Sequence, residues 1–397
     1  MKEGSTFKRL SYGAIFIFVG NIIGSGASFL TRIASARYLG PGDYGLIILG
    51  ITSLNLMSLA TLFGLPQGLA RQLPRSDNRS ALFSIVLSIT IPLTVIISVL
   101  LIIFSGDISN FLNEPGFGQV FVVFASALPL IAFMRLSISA LRGLEDAKGR
   151  VLVQNMFRQG GTAVAVFVGI LLGARTVEIA SSWVIGIGLA VLISTVRLSS
   201  HGLLLSNYYF RFSDVPDYGK PILLFSLPLL LSQGMWALVQ QADNYIIAYF
   251  VNSGAVGIYD ATFTFGRILL RFIWSFEFIF LPAFAKLHKE GKLEEMDRTY
   301  KMATKWMVFL GLPLYLTFIF YPKYILQLTF GPRFIEGDIA LVVVATGFFT
   351  HVILGTNSDA LIAIGRNKSV MYGNGIALVF NIFLNLALVP VAGITGA

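Results

Sequence analysis

Apolar residues run along this chain in long blocks separated by short polar stretches. Eleven blocks are long enough to cross about 30 Å of hydrocarbon as helices, which takes about 20 residues. They cover 11–31, 44–64, 80–104, 118–141, 151–173, 176–196, 221–249, 257–284, 303–321, 338–363 and 369–390. Barrel strands would alternate in polarity over about ten residues, and these blocks do not. The pattern therefore predicts an all-α polytopic membrane protein. Lys8 and Arg9 before the first block and Ala34-Ser35-Ala36 after it resemble a signal peptide, but the apolar region is too long for one. The first block is expected to stay in the mature chain.

A shift of 212 residues aligns the first block with the seventh. Asn21 meets Gln233, Ser28 meets Gln240, Arg32 meets Asn244 and Gly45 meets Gly257. The polar positions fall at i, i+7 and i+11, one face of a helix. Further on the offset drifts to 220, where Lys148 meets Lys368 and Gly173 meets Gly393. Six helices separate the copies, an even number, so both halves enter from the same side as a parallel repeat. The expected architecture is two pseudo-symmetric six-helix lobes, 1–200 and 221–397, joined by a cytoplasmic linker at 201–220. Only five blocks fall in the second lobe, so the chain reads as C-terminally truncated.

Composition agrees with a lipid solvent. Of 397 residues, 55% are hydrophobic and 12% charged, about half the charged share of a soluble domain, and the mean hydropathy is +0.78. The 29 Lys and Arg outnumber the 20 Asp and Glu, which in a soluble protein would suggest nucleic acid. Their placement says otherwise. With the N-terminus inside, 20 of the basic residues fall on inner segments, five (Arg32, Arg37, Arg175, Lys323, Arg333) on outer ones, and Arg135, Arg158, Arg267 and Arg271 within spans. That asymmetry is the topological signature of a cytoplasmic N-terminus in the cell membrane.

There is no cysteine, and the three histidines are far apart, so neither a thiolate nor an HExxH metal site is expected. No cofactor is implied. No GxxxxGK[ST] loop occurs, so energy for transport is expected from an ion gradient or from supply of the cargo.

The residues that carry candidate chemistry lie inside spans, where charge is costly. Arg267 and Arg271 are one turn apart and about 15 to 21 Å from the outer end of the eighth span. They suit an anionic phosphate, which guanidinium binds bidentately, or a structural pair with Glu277 or Asp243. Gln233, Gln240 and Asn244 stripe the seventh span with Asp243, and Asn21, Ser25, Ser28 and Arg32 stripe the first. Such stripes either hydrogen-bond sugar hydroxyls or hold helices together. Asp243, Glu277 and Asp359 are the carboxylates placed within spans, candidates for coupling to H+ or Na+ or for pairing with an arginine. Arg135 and Arg158 lie six or seven residues from cytoplasmic helix ends and are expected to snorkel to the headgroups. Pro92, Pro129, Pro228 and Pro313 in mid-span are candidate kinks, and Gly20-xxx-Gly24 and Gly169-xxx-Gly173 candidate close-packing sites.

A resemblance covers most of the chain. Ala36-Arg-Tyr-Leu-Gly-Pro-Gly-Asp-Tyr-Gly-Leu46 resembles the signature of the polysaccharide transporter family. Leu141-Arg-Gly-Leu-Glu-Asp-Ala-Lys148, Ser226-Leu-Pro-Leu, Gln241-Ala-Asp-Asn244, Gly257-Ile-Tyr-Asp-Ala261, Phe280-Leu-Pro-Ala-Phe284, Phe330-Gly-Pro-Arg-Phe334 and Ile364-Gly-Arg-Asn-Lys368 continue it in order. That family includes the O-antigen and teichoic-acid exporters of Wzx type and is similar in fold to MATE antiporters and MurJ. The resemblance implies two lobes, alternating access and a lipid-linked oligosaccharide as cargo, with no enzymatic step. Other polysaccharide-assembly proteins are the implied partners. Two other readings stand beside it: MATE-type efflux of organic cations, which should favour cavity carboxylates, and a polytopic glycosyltransferase or polymerase. The latter would need catalytic carboxylates on a sizeable outer loop, and the 105–117 loop offers only Asp107 and Glu114.

Overall fold

Every expected span coincides with helix in a computed structural model of the chain. The structure describes residues 3–203 and 219–397; the side chains of 3–17, 227–229, 231–233, 236, 271–279, 281–282, 358–359 and 367 lie outside the description. In the first half the helices are α1 (Glu3–Leu39), α2 (Pro41–Leu62), α3 (Leu65–Gln72), α4 (Arg79–Ile103), α5 (Ser105–Phe111), α6 (Phe117–Ser126), α7 (Leu128–Gly143), α8 (Ala147–Val151), α9 (Gly161–Leu171) and α10 (Thr176–Ser200). The second half holds α11 (Lys220–Phe250), α12 (Ser253–Lys289), α13 (Leu293–Phe320), α14 (Pro322–Thr329), α15 (Asp338–Leu354), α16 (Asn357–Ala363) and α17 (Asn367–Ala392). Asn78, Asp146 and Asn252 start α4, α8 and α12 by accepting hydrogen bonds from the backbone N–H groups of Ala81, Gly149 and Ala255.

Among the described residues, six helices are long and apolar enough to cross a membrane: Pro41–Leu62, Arg79–Ile103, Thr176–Ser200, Leu293–Phe320, Pro332–Leu354 and Lys368–Thr395. The pair α6 and α7, bent by 43° at a break beside Pro129, would make a seventh. The expected fifth span, 151–173, is no single α-helix. Its first half is a π-helical stretch, Leu152–Gly160, carrying Gln154, Arg158 and Gln159, and α9 follows it. Large apolar side chains face outward, with Leu171 85% and Val391 86% exposed, as expected where the solvent is hydrocarbon.

The chain divides into two compact units, one of residues up to Leu39 with Leu46–Ala237 and one of Gly40–Gly45 with Leu238–Ala397. The division runs through α11, and residues 204–218 of the expected linker lie outside the described residues.

In the first unit α1 lies against the π-helical stretch. A Cβ on Gly20 would sit 2.3 Å from the Val151 side chain, and one on Gly24 2.1 Å from Gln159 Oε1 and 2.8 Å from Asn155 Cβ, so the Gly20-xxx-Gly24 spacing serves close packing. In the second unit Gly45 and Gly257 are likewise crowded. A Cβ on Gly45 would lie 1.7 Å from the Ser253 carbonyl oxygen, and one on Gly257 2.3 Å from that of Pro41. Pro41 and Ser253 are themselves 212 residues apart, so the contact is reciprocal, as a local two-fold relation between repeated segments requires.

Candidate functional site

The first unit encloses a cavity of about 370 Å³ whose wall carries Arg135, Arg142, Arg150 and Arg158. Helical spacing brings them together. Arg135 and Arg142 stand two turns apart on one face of α7, and Arg150 and Arg158 come from α8 and the π-helical stretch. The Ser139 hydroxyl donates to the Pro66 carbonyl, tying α7 to α3 across the wall. Among the described residues no acidic side chain lines this cavity, and none of the four arginines is paired with a carboxylate. Outside the spans, burial first and the like charge of Arg142 second hold Arg150 below the usual guanidinium range.

A second, smaller cavity of about 150 Å³ shares Arg158 with the first and is lined also by Arg32, Asn55, Gln159, Thr162 and Trp183. Among the described residues it too has no acidic lining. Arg135 Nη2 donates to Asn55 Oδ1 at 2.8 Å, so one hydrogen bond joins the walls of the two cavities.

Arg135 and Arg158 therefore do not behave as the sequence suggests. Both turn into the unit, where Arg158 lines both cavities and Arg135 lines the larger one and is held by Asn55 of α2, polar surroundings that a charge inside a span needs. The half-buried carboxylate at the α7–α8 turn, Asp146, is engaged elsewhere. It takes Arg197 at 3.3 Å and His201 at 3.1 Å. Burial raises its pKa, but the Gly149 N–H, His201 and Arg197 outweigh that and hold it below the ordinary carboxylate range.

The second unit is organised around carboxylates. Asp243 on α11 is buried and accepts hydrogen bonds from Tyr259 Oη (2.8 Å), Asn385 Nδ2 (3.0 Å) and Asn381 Nδ2 (3.2 Å). The side-chain carbonyl oxygens of Asn381 and Asn385 are buried without a hydrogen-bond partner. Asp260 on α12 accepts from Tyr44 Oη at 2.6 Å and pairs with Arg267 at 3.1 Å. Arg267 also lies over the Phe263 ring, 5.1 Å from its centroid, with its side chain 37% exposed.

Of the residues singled out in the sequence, Arg32 and Ser28 line the smaller cavity. Asn21 accepts from Asn155 Nδ2 at 2.9 Å, a bond between α1 and the π-helical stretch. Gln240 and Asn244 are partly buried on α11. Arg267 pairs with Asp260, a buried carboxylate the sequence reading left out, while the side chain of Glu277 lies outside the described residues. The signal of Asp260 was the i, i+7 spacing to Arg267, which puts both on one face of α12. Arg271, Gln233, Glu277 and Asp359 lie outside the described side chains.

Comparison with known proteins agrees with this architecture. Residues 35–337 match the family described as polysaccharide biosynthesis protein. Over 398 aligned residues the chain is 23% identical to the probable low-salt glycan biosynthesis flippase Agl15 of Haloferax volcanii, covering 98% of this chain and 79% of the relative. In fold it is similar to the lipid II flippase MurJ in an inward closed conformation, with a TM-score of 0.78 at 14% identity over 96% of this chain and 83% of that one. It is similar also to an inward-facing multidrug transporter of the MATE family, with a TM-score of 0.70 at 16% identity over 93% of this chain and 89% of that one. These are multi-pass, all-α membrane architectures of the kind the hydrophobic pattern predicts. By its sequence across most of its length, the chain belongs to the polysaccharide biosynthesis protein family.

Proposed function

We propose that the chain is a flippase that carries a lipid-linked oligosaccharide across the cytoplasmic membrane by alternating access, with its N-terminus in the cytoplasm and its helices in two lobes, 1–200 and 221–397. One observation carries this reading: the first unit holds a cavity lined by Arg135, Arg142, Arg150 and Arg158 and, among the described residues, by no acid. Clustered like charges repel one another, and a lipid phosphate or pyrophosphate entering the cavity would supply counter-charge to these half-buried or exposed guanidinium groups through hydrogen bonds to its oxygens. An organic cation would meet repulsion there, which disfavours drug antiport. Membrane lipid and other polysaccharide-assembly proteins are the natural partners of such a carrier.

Arg32 extends the basic lining into the smaller cavity, and Asn21, Gln233, Gln240 and Asn244 belong to polar stripes that offer hydrogen bonds to the glycan. Arg267 and Arg271 remain candidates for the phosphate in the second unit, Arg267 as a cation already held by Asp260.

Asp243 is the coupling group for H+ or Na+ in this reading, with Glu277 and Asp359 the further carboxylate candidates. Its buried carboxylate accepts hydrogen bonds from Tyr259, Asn381 and Asn385, and a buried carboxylate inside a span is the kind of group that takes up and releases a cation during transport. The test is translocation of a fluorescent polyprenyl-pyrophosphate disaccharide by the full chain in vesicles. Replacing Arg135 and Arg158 together by alanine should slow it by about tenfold or more; wild-type rates in that variant would end the proposal.

A further inference from the structure

The four arginines of the larger cavity do not form a single cluster. Arg150 is repelled by Arg142, and Arg135 by Arg158, so the wall carries two pairs of like charges. Arg135 and Arg142 lie two turns apart on α7, about 10.5 Å along its axis. The phosphorus atoms of a pyrophosphate share one bridging oxygen and are far closer than that. One phosphate or pyrophosphate therefore engages one pair at a time, two guanidinium forks to one anionic group.

The pairs differ in depth. Arg142 is exposed in the last turn of α7, and Arg150 belongs to the short α8 that follows, so they mark the solvent end of the cavity, cytoplasmic in the proposed orientation. Arg135 lies two turns further into the span and is held by Asn55 at 2.8 Å. Arg158, from the π-helical stretch, lines the smaller cavity as well. A solvated pair acts on an approaching anion from a distance, whereas a pair inside the span acts on one already there.

We infer that the two pairs act on the cargo in sequence: Arg142 and Arg150 capture its phosphate or pyrophosphate at the membrane surface, and Arg135 and Arg158 take it over for the crossing. Each pair is relieved of its internal repulsion while it holds the anion, so the transfer exchanges one favourable site for another. The inference rests on the proposed flippase function and adds a division of labour to it. The first pair sets how readily the carrier loads, and the second how fast the loaded carrier turns over.

The test is the initial rate at which the full chain, in vesicles of zwitterionic lipid, moves the fluorescent polyprenyl-pyrophosphate disaccharide, measured against the density of that probe in the membrane. Arg142→Gln combined with Arg150→Gln should raise KM about tenfold, as loss of charge-assisted hydrogen bonds would give, and leave kcat within about twofold. Arg135→Gln combined with Arg158→Gln should lower kcat about tenfold and leave KM within about twofold. Arg142→Lys combined with Arg150→Lys keeps the charge and should recover most of the loading. Salt gives a second readout. Raising the ionic strength from about 0.01 M to about 0.15 M shortens the screening length from about 30 Å to about 8 Å, which should raise the KM of wild type and not that of the Arg142→Gln, Arg150→Gln protein. If those two arginines only anchored helix ends at the headgroups, KM and its salt response would stay where they are in wild type. That result, the same KM and kcat pattern in both glutamine variants, or a lysine variant no better than the glutamine one would overturn the sequence of capture and crossing and leave the flippase reading intact. A wild type that moves no probe would overturn both.

Discussion

The two units treat their charges in opposite ways. In the first, Arg135, Arg142, Arg150 and Arg158 gather around a cavity that, among the described residues, holds no acid. In the second, charges are matched from within: Asp260 holds Arg267 and receives Tyr44, and Asp243 receives Tyr259, Asn381 and Asn385. A closed network stabilises its own unit, whereas an open one leaves its electrostatic demand for something that arrives and departs. The first unit thus has the character of a binding site for an anion, and the second that of a scaffold with one buried carboxylate, Asp243, held by neutral donors.

Breaking the contrast outright should have the largest effect. Arg158→Glu would place an anion in the wall shared by both cavities. Translocation of the lipid-linked sugar should fall by about a hundredfold, through loss of an attraction and gain of a repulsion, while the thermal unfolding midpoint moves little. Fluorescence dequenching in vesicles reads the rate. An active Arg158→Glu protein would remove the first unit from the transport path.

A smaller change is expected from Asp243 in the second unit. Asp243→Asn should keep the fold, since Tyr259, Asn381 and Asn385 retain an acceptor, yet slow gradient-driven transport by about tenfold. Comparing rates with and without an imposed proton or sodium gradient isolates the effect; an unaltered gradient response would show that coupling lies elsewhere.

Asp260→Asn tests whether the second unit is self-satisfied. It removes the countercharge of Arg267, which is only partly exposed, and should cost about 1–2 kcal/mol, read as a lower unfolding midpoint in detergent. If Arg267 serves only the fold, cargo affinity stays near the wild-type value; a changed affinity would mean that Arg267 also takes the phosphate.

The smallest effect belongs to Asp146. Its lowered folded-state pKa means that it contributes stability at pH values above the ordinary carboxylate pKa of about 4, and that this contribution disappears as the pH falls through the lower folded value. Asp146→Asn should therefore destabilise by about 0.5–1 kcal/mol at neutral pH, and the difference from wild type should close in acid. A gap that widens on acidification would mean that Arg197 and His201 do not hold this carboxylate.

Much of the fold was legible in the chain itself, and little of the site. The apolar blocks located the helices because burial in hydrocarbon depends on composition over about 20 residues, and the matched Gly45 and Gly257 did meet across a reciprocal contact. The arginines were read less well. Distance from a helix end suggested snorkelling for Arg135 and Arg158, but that measure ignores which neighbour a helix face meets. Asp260 was passed over for the same reason, although its spacing to Arg267 was visible. The π-helical turns at Leu152–Gly160 had no counterpart in the apolar pattern, which shows that residues are buried and not how the backbone winds.

By itself, then, the sequence determined the solvent of this protein and its helices, because those follow from transfer energies summed along a local stretch. Tertiary structure alone decided that four arginines from α7, α8 and the π-helical stretch share one hollow while Arg267 is closed off by Asp260. Pairing and burial of a charge depend on the rotation of each helix and on its neighbours, which packing sets and no single stretch encodes.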